Sequence, residues 1–397
     1  METRLLTERP FRSKAINPRS GQITLIMTIV ITILFGFAAL AVDLSYIALT
    51  KSQMENASDS AALASASDLL NGWGVGASYD ASTIANMGML TAETMAAEHP
   101  AGEQPVVFLD GIRDVRFGQR IFDVTSQTWQ ENWGISPYNL VEVSVHRNQS
   151  SSGTTTADVD VPLFFGRFLG RSSQSLLATS KAALVAGVGF RIQSGSSLTA
   201  DVLPIALDVG SWDALVVSNV GNDDYGFDPI SGTVSSGGDG IKEVSLYPSG
   251  SGSLPPGNRG TVDLGNPNNS TADLKRQILY GLNDYDLSFF SGSLRFDQGP
   301  LYINGDTGIS AGIKSQLNTI KGKPRAIPLF TAVSGPGNNA TYTIERFVGI
   351  RIMYIKLTGS NKRVIVQPAP LMDPTVIAGP TTEVTEDSIF AMPNLIH

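Results

Sequence analysis

The chain has 397 residues, 42% hydrophobic and 16% charged, with 40 Gly, 21 Pro and no Cys. That length suits about two ordinary domains, and the absence of cysteine excludes disulfide frameworks, thiolate zinc sites and cysteine nucleophiles. The net charge is −8, yet Arg4, Arg9, Arg12, Lys14 and Arg19 against Glu2 and Glu8 make the first twenty residues +3, so the remainder carries −11 and repels nucleic acid.

In chain order, residues 1–20 read as a basic cytoplasmic tail and 21–42 as a transmembrane helix. No charge occurs from Ser20 to Val42, and Ile23–Val42 is one predominantly apolar run. As a helix it covers ~30 Å, the thickness of the hydrocarbon core. Basic residues before it and Asp43 after it place the N-terminus in the cytoplasm and the body outside. Ala39-Leu40-Ala41 has the small-x-small pattern of a signal-peptidase site. The apolar run exceeds the ~7–15 residues of a signal peptide, however, which favours retention. Thr24, Thr28, Thr32 and Gly36 share one helix face, a register that permits helix–helix self-association or hydroxyls bonding back to their own helix.

Residues 43–70 read as an amphipathic stalk helix that continues the membrane span, for ~72 Å in all over 23–70. Ile47, Thr50, Met54, Ala57, Ala61 and Ala64 form its narrow stripe, and Lys51, Gln53, Glu55, Asn56, Asp59 and Ser60 its polar side. So little side-chain volume suits close packing against another helix or a sheet, including the chain's own next domain.

A first α+β domain is expected over 71–190. It has a helix at Ser82–Glu98, apolar at Ile84, Met87, Leu90 or Met95, then strands at Val106–Leu109, Val115–Phe117, Ile121–Val124 and Val141–His146. A polar loop (Ser150–Thr156), a short apolar piece (Leu163–Leu169) and a strand near Leu177, Thr179, Ala183 and Val185 complete it. Residues 191–200 are a Ser/Gly junction, and a second α+β domain is expected over 201–367. Its 221–260 stretch, with Gly237-Gly238-Asp239-Gly240 and Pro255-Pro256-Gly257, reads as long surface loops. Ser270-Thr271-Ala272-Asp273 is a capping box opening a helix with Leu274, Ile278 and Leu282 inward. A second helix near Ile309–Ile320 stops at Gly322 and Pro324, and Arg325–Val333, Thr341–Lys356 and Arg363–Gln367 are β-rich. Residues 368–397 read as a mobile tail. The fold class is thus α+β: a transmembrane helix extended by a stalk, then two exported domains.

The N-terminal residues carry a resemblance. The basic start, Ser20-Gly21-Gln22, the span closing Ala-Leu-Ala-Val-Asp (39–43), Tyr46, Gln53 and Asn56-Ala57-Ser58-Asp59-Ser60-Ala61-Ala62-Leu63-Ala64 are similar to TadE/TadG-like proteins. These are membrane-anchored components of the tight-adherence (Flp) pilus machinery. Over 105–190 the strand pattern and Val161-Pro162-Leu163-Phe164-Phe165 with Leu169-Gly170 are similar more loosely. Prepilin-type members have glutamate five residues after the cleavage-site glycine, whereas Gly21 is followed there by Ile26. The resemblance therefore implies an uncleaved, TadG-like accessory protein of the inner membrane, with other pilus-assembly membrane proteins as partners and the bilayer held through 21–42. Some TadG relatives carry an Asp-x-Ser-x-Ser metal site; Asp208-Val209-Gly210-Ser211-Trp212 lacks both serines.

Other constellations are weaker. Gly308-Ile309-Ser310-Ala311-Gly312 matches the nucleophile-elbow pattern, but the one later histidine is His397, and helix capping by Ser310 or Thr307 explains the residues more simply. His99, His146 and His397 lie far apart, without the His-x-x-x-His spacing of a zinc hydrolase. Asn222, Asp223, Asp224 and Asp228 with Gly226 resemble an oxygen-rich calcium loop, but miss the EF-hand spacing and suit a solvated turn. Gly305-Asp306-Thr307-Gly308 could offer N–H groups to an anion at a helix start. Trp73, Trp129, Trp133 and Trp212 read as core or interface residues. No catalytic, metal or cofactor-binding residue is assigned. The expected function is a non-enzymatic, membrane-anchored pilus-assembly accessory; the alternatives are an envelope-anchored adhesin or an exported serine hydrolase built on Ser310.

Overall fold

A computed structural model describes residues 18–123, 125–148, 158–247, 260–266, 270–307, 309–335, 340–379 and 384–396. The basic tail, the Ser150–Thr156 loop, Pro255-Pro256-Gly257, Gly308 and His397 lie wholly or mostly outside these residues.

The first element is one helix, α1 (Pro18–Asp68), of 51 residues, about 76 Å at 1.5 Å per residue. Past its first turn, which holds Pro18 and Gly21, the helix contains Gly36 and no proline, and a short 3₁₀ turn, Leu69–Gly72, ends it where Asn71-Gly72 predicted a stop. The helix changes character at Asp43. Before it, the side chains from Ile23 to Val42 face outward, and the most apolar window is not buried within the protein at all. After it, Thr50, Met54, Ala57, Ser58, Ala61, Ala62, Ser65 and Ala66 are fully buried.

Helix α2 (Ala81–Ala97) opens where the Asp80 carboxylate accepts from the Thr83 N–H at 2.7 Å. It buries Ile84, Gly88, Ala92 and Ala96, while Leu90 is exposed, so its packing face is the small-residue one. Gly88 is required there: a Cβ would stand 2.9 Å from the Phe117 ring and from Ser65 Oγ. The one-turn α3 (Gly111–Asp114) leads into β1 (Val115–Asp123), a single strand across what reads in sequence as two. Val106–Leu109 is not a strand. Next come β2 (Thr128–Trp133), β3 (Leu140–Arg147), the small hairpin β4 (Val161–Pro162) and β5 (Ser173–Gln174), and the long β6 (Leu176–Arg191). In β6 the buried phase is Ala178, Ser180 and Ala182, not Leu177 and Thr179, because the helix-facing side must be small for the backbones to approach.

The second half begins with β7 (Leu207–Asp208), α4 (Val209–Val216), β8 (Tyr225–Asp228), β9 (Thr233–Ser236), β10 (Val244–Tyr247) and β11 (Gly260–Val262). The stretch expected as surface loops thus contains a β8–β9 hairpin and a strand paired with the main sheet. Helices α5 (Thr271–Tyr280) and α6 (Asp284–Ser288) follow, then β12 (Ser293–Arg295) and β13 (Leu301–Thr307). At α5 the Ser270 hydroxyl accepts from the Asp273 N–H at 3.1 Å, but the Asp273 carboxylate takes the Ser270 hydroxyl instead of a backbone N–H. The reciprocal capping box is at α6, between Asn283 and Asp286. After α7 (Lys314–Thr319) come β14 (Pro324–Ser334), β15 (Ala340–Lys356), β16 (Arg363–Pro368), β17 (Leu371–Met372), β18 (Val376–Ala378) and β19 (Ile389–Ile396).

Two large sheets hold the described residues together. One runs β17-β19-β6-β3-β1-β2, with β12 and β18 also paired to β6; the other runs β10-β16-β15-β13-β11, with β14 joining β15 to β7. The expected mobile tail is therefore corrected. Within 368–397, β18 and β19 pair antiparallel with β6, and β17 pairs parallel with β19. Phe390 is fully buried in the core beneath α1, and the adjacent Ile389 is buried in a second core to which both sheets contribute. An apolar strand of this kind pairs wherever a sheet leaves an edge open. Prolines and three acidic groups upstream concealed it in the sequence.

Candidate functional site

The element that carries the functional signal is α1, and its geometry at the end of the apolar run is specific. Asp43, 3% exposed, directs its carboxylate at three consecutive backbone donors. Oδ1 accepts from Phe164 N–H at 2.8 Å and Phe165 N–H at 3.3 Å, and Oδ2 from Phe165 N–H at 3.0 Å and Gly166 N–H at 2.6 Å. An ionised carboxylate is acceptor-only, so it can satisfy all three donors of a tight turn at once. One turn further, the Tyr46 ring meets Phe164 edge-on at 5.1 Å between centroids.

Tyr46 also opens a polar chain. Its hydroxyl donates to Glu103 Oε2 at 2.7 Å. Glu103 pairs with Arg147, a nearly buried guanidinium that donates Nε to Val159 O at 2.7 Å and Nη1 to Ala101 O at 2.8 Å. Burial and the Glu103 contact push the Tyr46 hydroxyl up to about 12. Burial pushes Glu103 up, but hydrogen bonds from Tyr46 and Arg147 outweigh it and hold the carboxyl below its ordinary value. Gln53 Oε1 accepts from Gly102 N–H at 2.8 Å, tying the same loop to α1 about two turns further along.

Deeper along the helix, Ser58 Oγ lies 2.7 Å from Ser180 Oγ, which also donates to Asp59 Oδ1 at 2.5 Å. Lys51 Nζ reaches Leu177 O at 2.5 Å and Glu55 at 3.3 Å. Of the predicted stripe, Thr50, Met54, Ala57 and Ala61 are buried, while Ile47 and Ala64 at its ends are only part-buried, and the buried face takes in Ser58, Ala62, Ser65 and Ala66 as well. Gln53 and Asp59, placed on the polar side in sequence, serve as hydrogen-bond partners at the margin of the contact. The stalk expectation is corrected in one respect: α1 does not hold the body away from the apolar run. The body begins at Asp43, and the second half of α1 is part of its core, against α2, β3, β6 and β19.

Residues 21–68 match the family model described as "Putative Flp pilus-assembly TadE/G-like". Over those residues the N-terminal helix is similar to the TadE/G-like segment. The match ends at Asp68, the last residue of α1, so it covers the membrane-type run and the docked half and leaves the rest of the body unmatched. Comparison with curated proteins and with solved structures gave no match. Among the residues that carry the resemblance, Asp43, Tyr46, Gln53, Ser58 and Asp59 make the polar contacts just described.

The remaining sequence candidates are placed as follows. Ser310 Oγ accepts from Gly312 N–H at 3.2 Å and caps the 3₁₀ turn before α7, while Gly308 lies outside the described residues. Gly305, Asp306 and Thr307 are in β13, paired with β11, and not at a helix start. Asp208 caps α4 through Ser211 N–H at 2.8 Å. Asp223 accepts from Asp239 and Gly240 N–H, and Asp228 from Ile230 N–H and the Ser231 hydroxyl, so both carboxylates fasten turns. Thr28 and Thr32 return their hydroxyls to Thr24 O and Thr28 O, and open space surrounds Gly36. Trp73 and Trp212 are buried, with indole N–H groups donated to Thr385 O and Asp387; Trp129 and Trp133 lie on β2 beneath Arg120 and Arg116. Sequence reasoning missed Glu103 and Arg147, which no motif marks. It read Asp43 only as the charge that ends the apolar run and missed its clamp on the 164–166 backbone.

Proposed function

We propose that this protein is a single-pass inner-membrane accessory of Flp pilus assembly, with its N-terminus in the cytoplasm and a non-enzymatic body outside that binds other assembly proteins. The observation that carries this reading is that the TadE/G-like segment coincides with one helix whose first half faces outward and apolar and whose second half is core. The five basic residues before the run and the first acidic residue after it support the orientation. A helix shared between bilayer and core makes the body's position relative to the membrane rigid, which suits a component that must present one surface to its partners.

The test compares Ala57→Pro with Glu55→Ala at matched protein levels. Proline would remove a hydrogen bond and clash within the buried stripe, costing ~3 kcal/mol or more. Glu55 is on the exposed side, where loss of a charge costs at most ~1 kcal/mol. Pilus formation should fall in Ala57→Pro and persist in Glu55→Ala. Equal pilus formation in both would refute a mechanical role for α1.

A further inference from the structure

Between the paired ends of β4 and β5 the chain makes a compact turn that exposes large apolar side chains. Phe168 is 81% exposed and Leu169 78%, with Phe164 and Phe165 about half exposed beside them. Arg167 and Arg171 are exposed on the same turn. The turn is internally built. Leu163 is buried beneath it, Phe168 N–H donates to Phe165 O at 2.9 Å, and Arg171 N–H donates to Gly166 O at 3.0 Å. A Cβ at Gly166 would stand 2.7 Å from Arg171 O and from Leu163 Cδ1, so the chain is closely packed at that point of the turn.

Its position is fixed by Asp43. That residue directly follows the apolar run Ile23–Val42, and its carboxylate lies within 2.6–3.3 Å of the backbone nitrogens of Phe164, Phe165 and Gly166. If α1 crosses a bilayer as proposed above, on which this inference rests, Asp43 stands at the hydrocarbon boundary and the turn stands at the same depth. We propose that the 163–170 turn is a second membrane contact. Phe164, Phe165, Phe168 and Leu169 enter the interfacial layer of the leaflet from which α1 emerges, and Arg167 and Arg171 meet lipid phosphates. Phe and Leu side chains gain by burial at the headgroup–acyl boundary when basic residues flank them, and guanidinium groups bind phosphate with paired N–H donors. Backbone groups already bonded within the turn remove the main obstacle to entry into lipid. The contact adjoins the surface that α1 itself offers to lipid, so the two form one continuous membrane-facing patch. With helix and turn both seated, the body has two points of attachment and cannot swivel about α1.

The absence of cysteine allows single-site labelling of the full chain. Phe168→Cys, Leu169→Cys, Ile33→Cys within the apolar run and Ile230→Cys, 89% exposed on the β8–β9 turn, would each carry an environment-sensitive nitrobenzoxadiazole group. Each protein is reconstituted into vesicles of phosphatidylethanolamine and phosphatidylglycerol containing nitroxide lipids of shallow or deep placement. Probes at 168 and 169 should emit at shorter wavelength than the probe at 230 and be quenched most by the shallow nitroxide. The probe at 33 should be quenched most by the deep one, and the probe at 230 by neither. Quenching at 33 with emission at 168 and 169 like that at 230 would overturn the membrane contact and leave the transmembrane reading intact. Blue-shifted emission at 168 without nitroxide quenching would mean that protein covers the turn, which also overturns it. Loss of quenching at 33 would remove both readings together.

Discussion

At the scale of single residues, the Asp43 carboxylate and the buried Arg147 guanidinium fasten loops of the body to α1. Asp43→Ala removes the acceptor for three adjacent N–H groups. It should destabilise the body by ~1–3 kcal/mol, the cost of leaving such donors unpaired, and speed tryptic cleavage at Arg167 and Arg171. Asp43→Asn keeps one oxygen and should fall between wild type and alanine in the same digestion. Glu103 gives a pH-dependent check. Its carboxyl is held below the ordinary range, so its stabilising contribution is complete above the unfolded value of ~4.3 and is lost as pH falls through the lower folded value. Unfolding midpoints of wild type and Glu103→Gln followed from neutral to acidic pH should therefore converge in the acid, with the variant showing the shallower dependence. Neither role was fully legible in the sequence. Asp43 stood out in the sequence only as the first charge after the apolar run, whereas its partners lie over a hundred residues away, and Glu103 and Arg147 join only because the loop after α2 folds back on β3.

Among elements, the second half of α1 was the most legible, because a stripe spaced by three and four residues survives any tertiary arrangement that buries one face. What the stripe packs against was not. Alanine and serine on α1 meet Gly88, Ala92 and Ala96 on α2 and Ala178, Ser180 and Ala182 on β6. Such a contact depends on the smallness of its members, so it is sensitive to added volume. Ala62→Leu should cost ~1–3 kcal/mol in denaturant unfolding, as overpacking of a close-fitting core does. Small residues carry little hydrophobic periodicity, and this is why the predicted inward face of α2 included the exposed Leu90. β2 escaped sequence reading for the opposite reason: Thr128–Trp133 is largely solvent-facing, and its tryptophans are covered by arginines from β1 and not by a core.

For the whole molecule, the C-terminal strands make the body a closed unit. Phe390 packs edge-on against Trp73 at 6.2 Å between centroids, and Trp73 and Trp212 both donate to the 385–387 segment. Phe390→Ala should cost ~3–5 kcal/mol, read as a lowered denaturant midpoint, whereas a mobile tail would tolerate it without change. The α+β class and the strands from Pro324 to Pro368 were readable from their β-rich composition, since their middle stretches are buried on both faces. The return of β19 to β6 was not, because long-range strand pairing leaves no local mark. The central claim is that the apolar half of α1 remains attached to the half that forms the core, so that the body is held at the membrane. The direct measurement is alkaline extraction of native membranes, with N-terminal analysis of the recovered protein. The account predicts a protein that stays in the pellet with residues 21–42 intact. A protein released to the supernatant with Val42 as its first residue would contradict it.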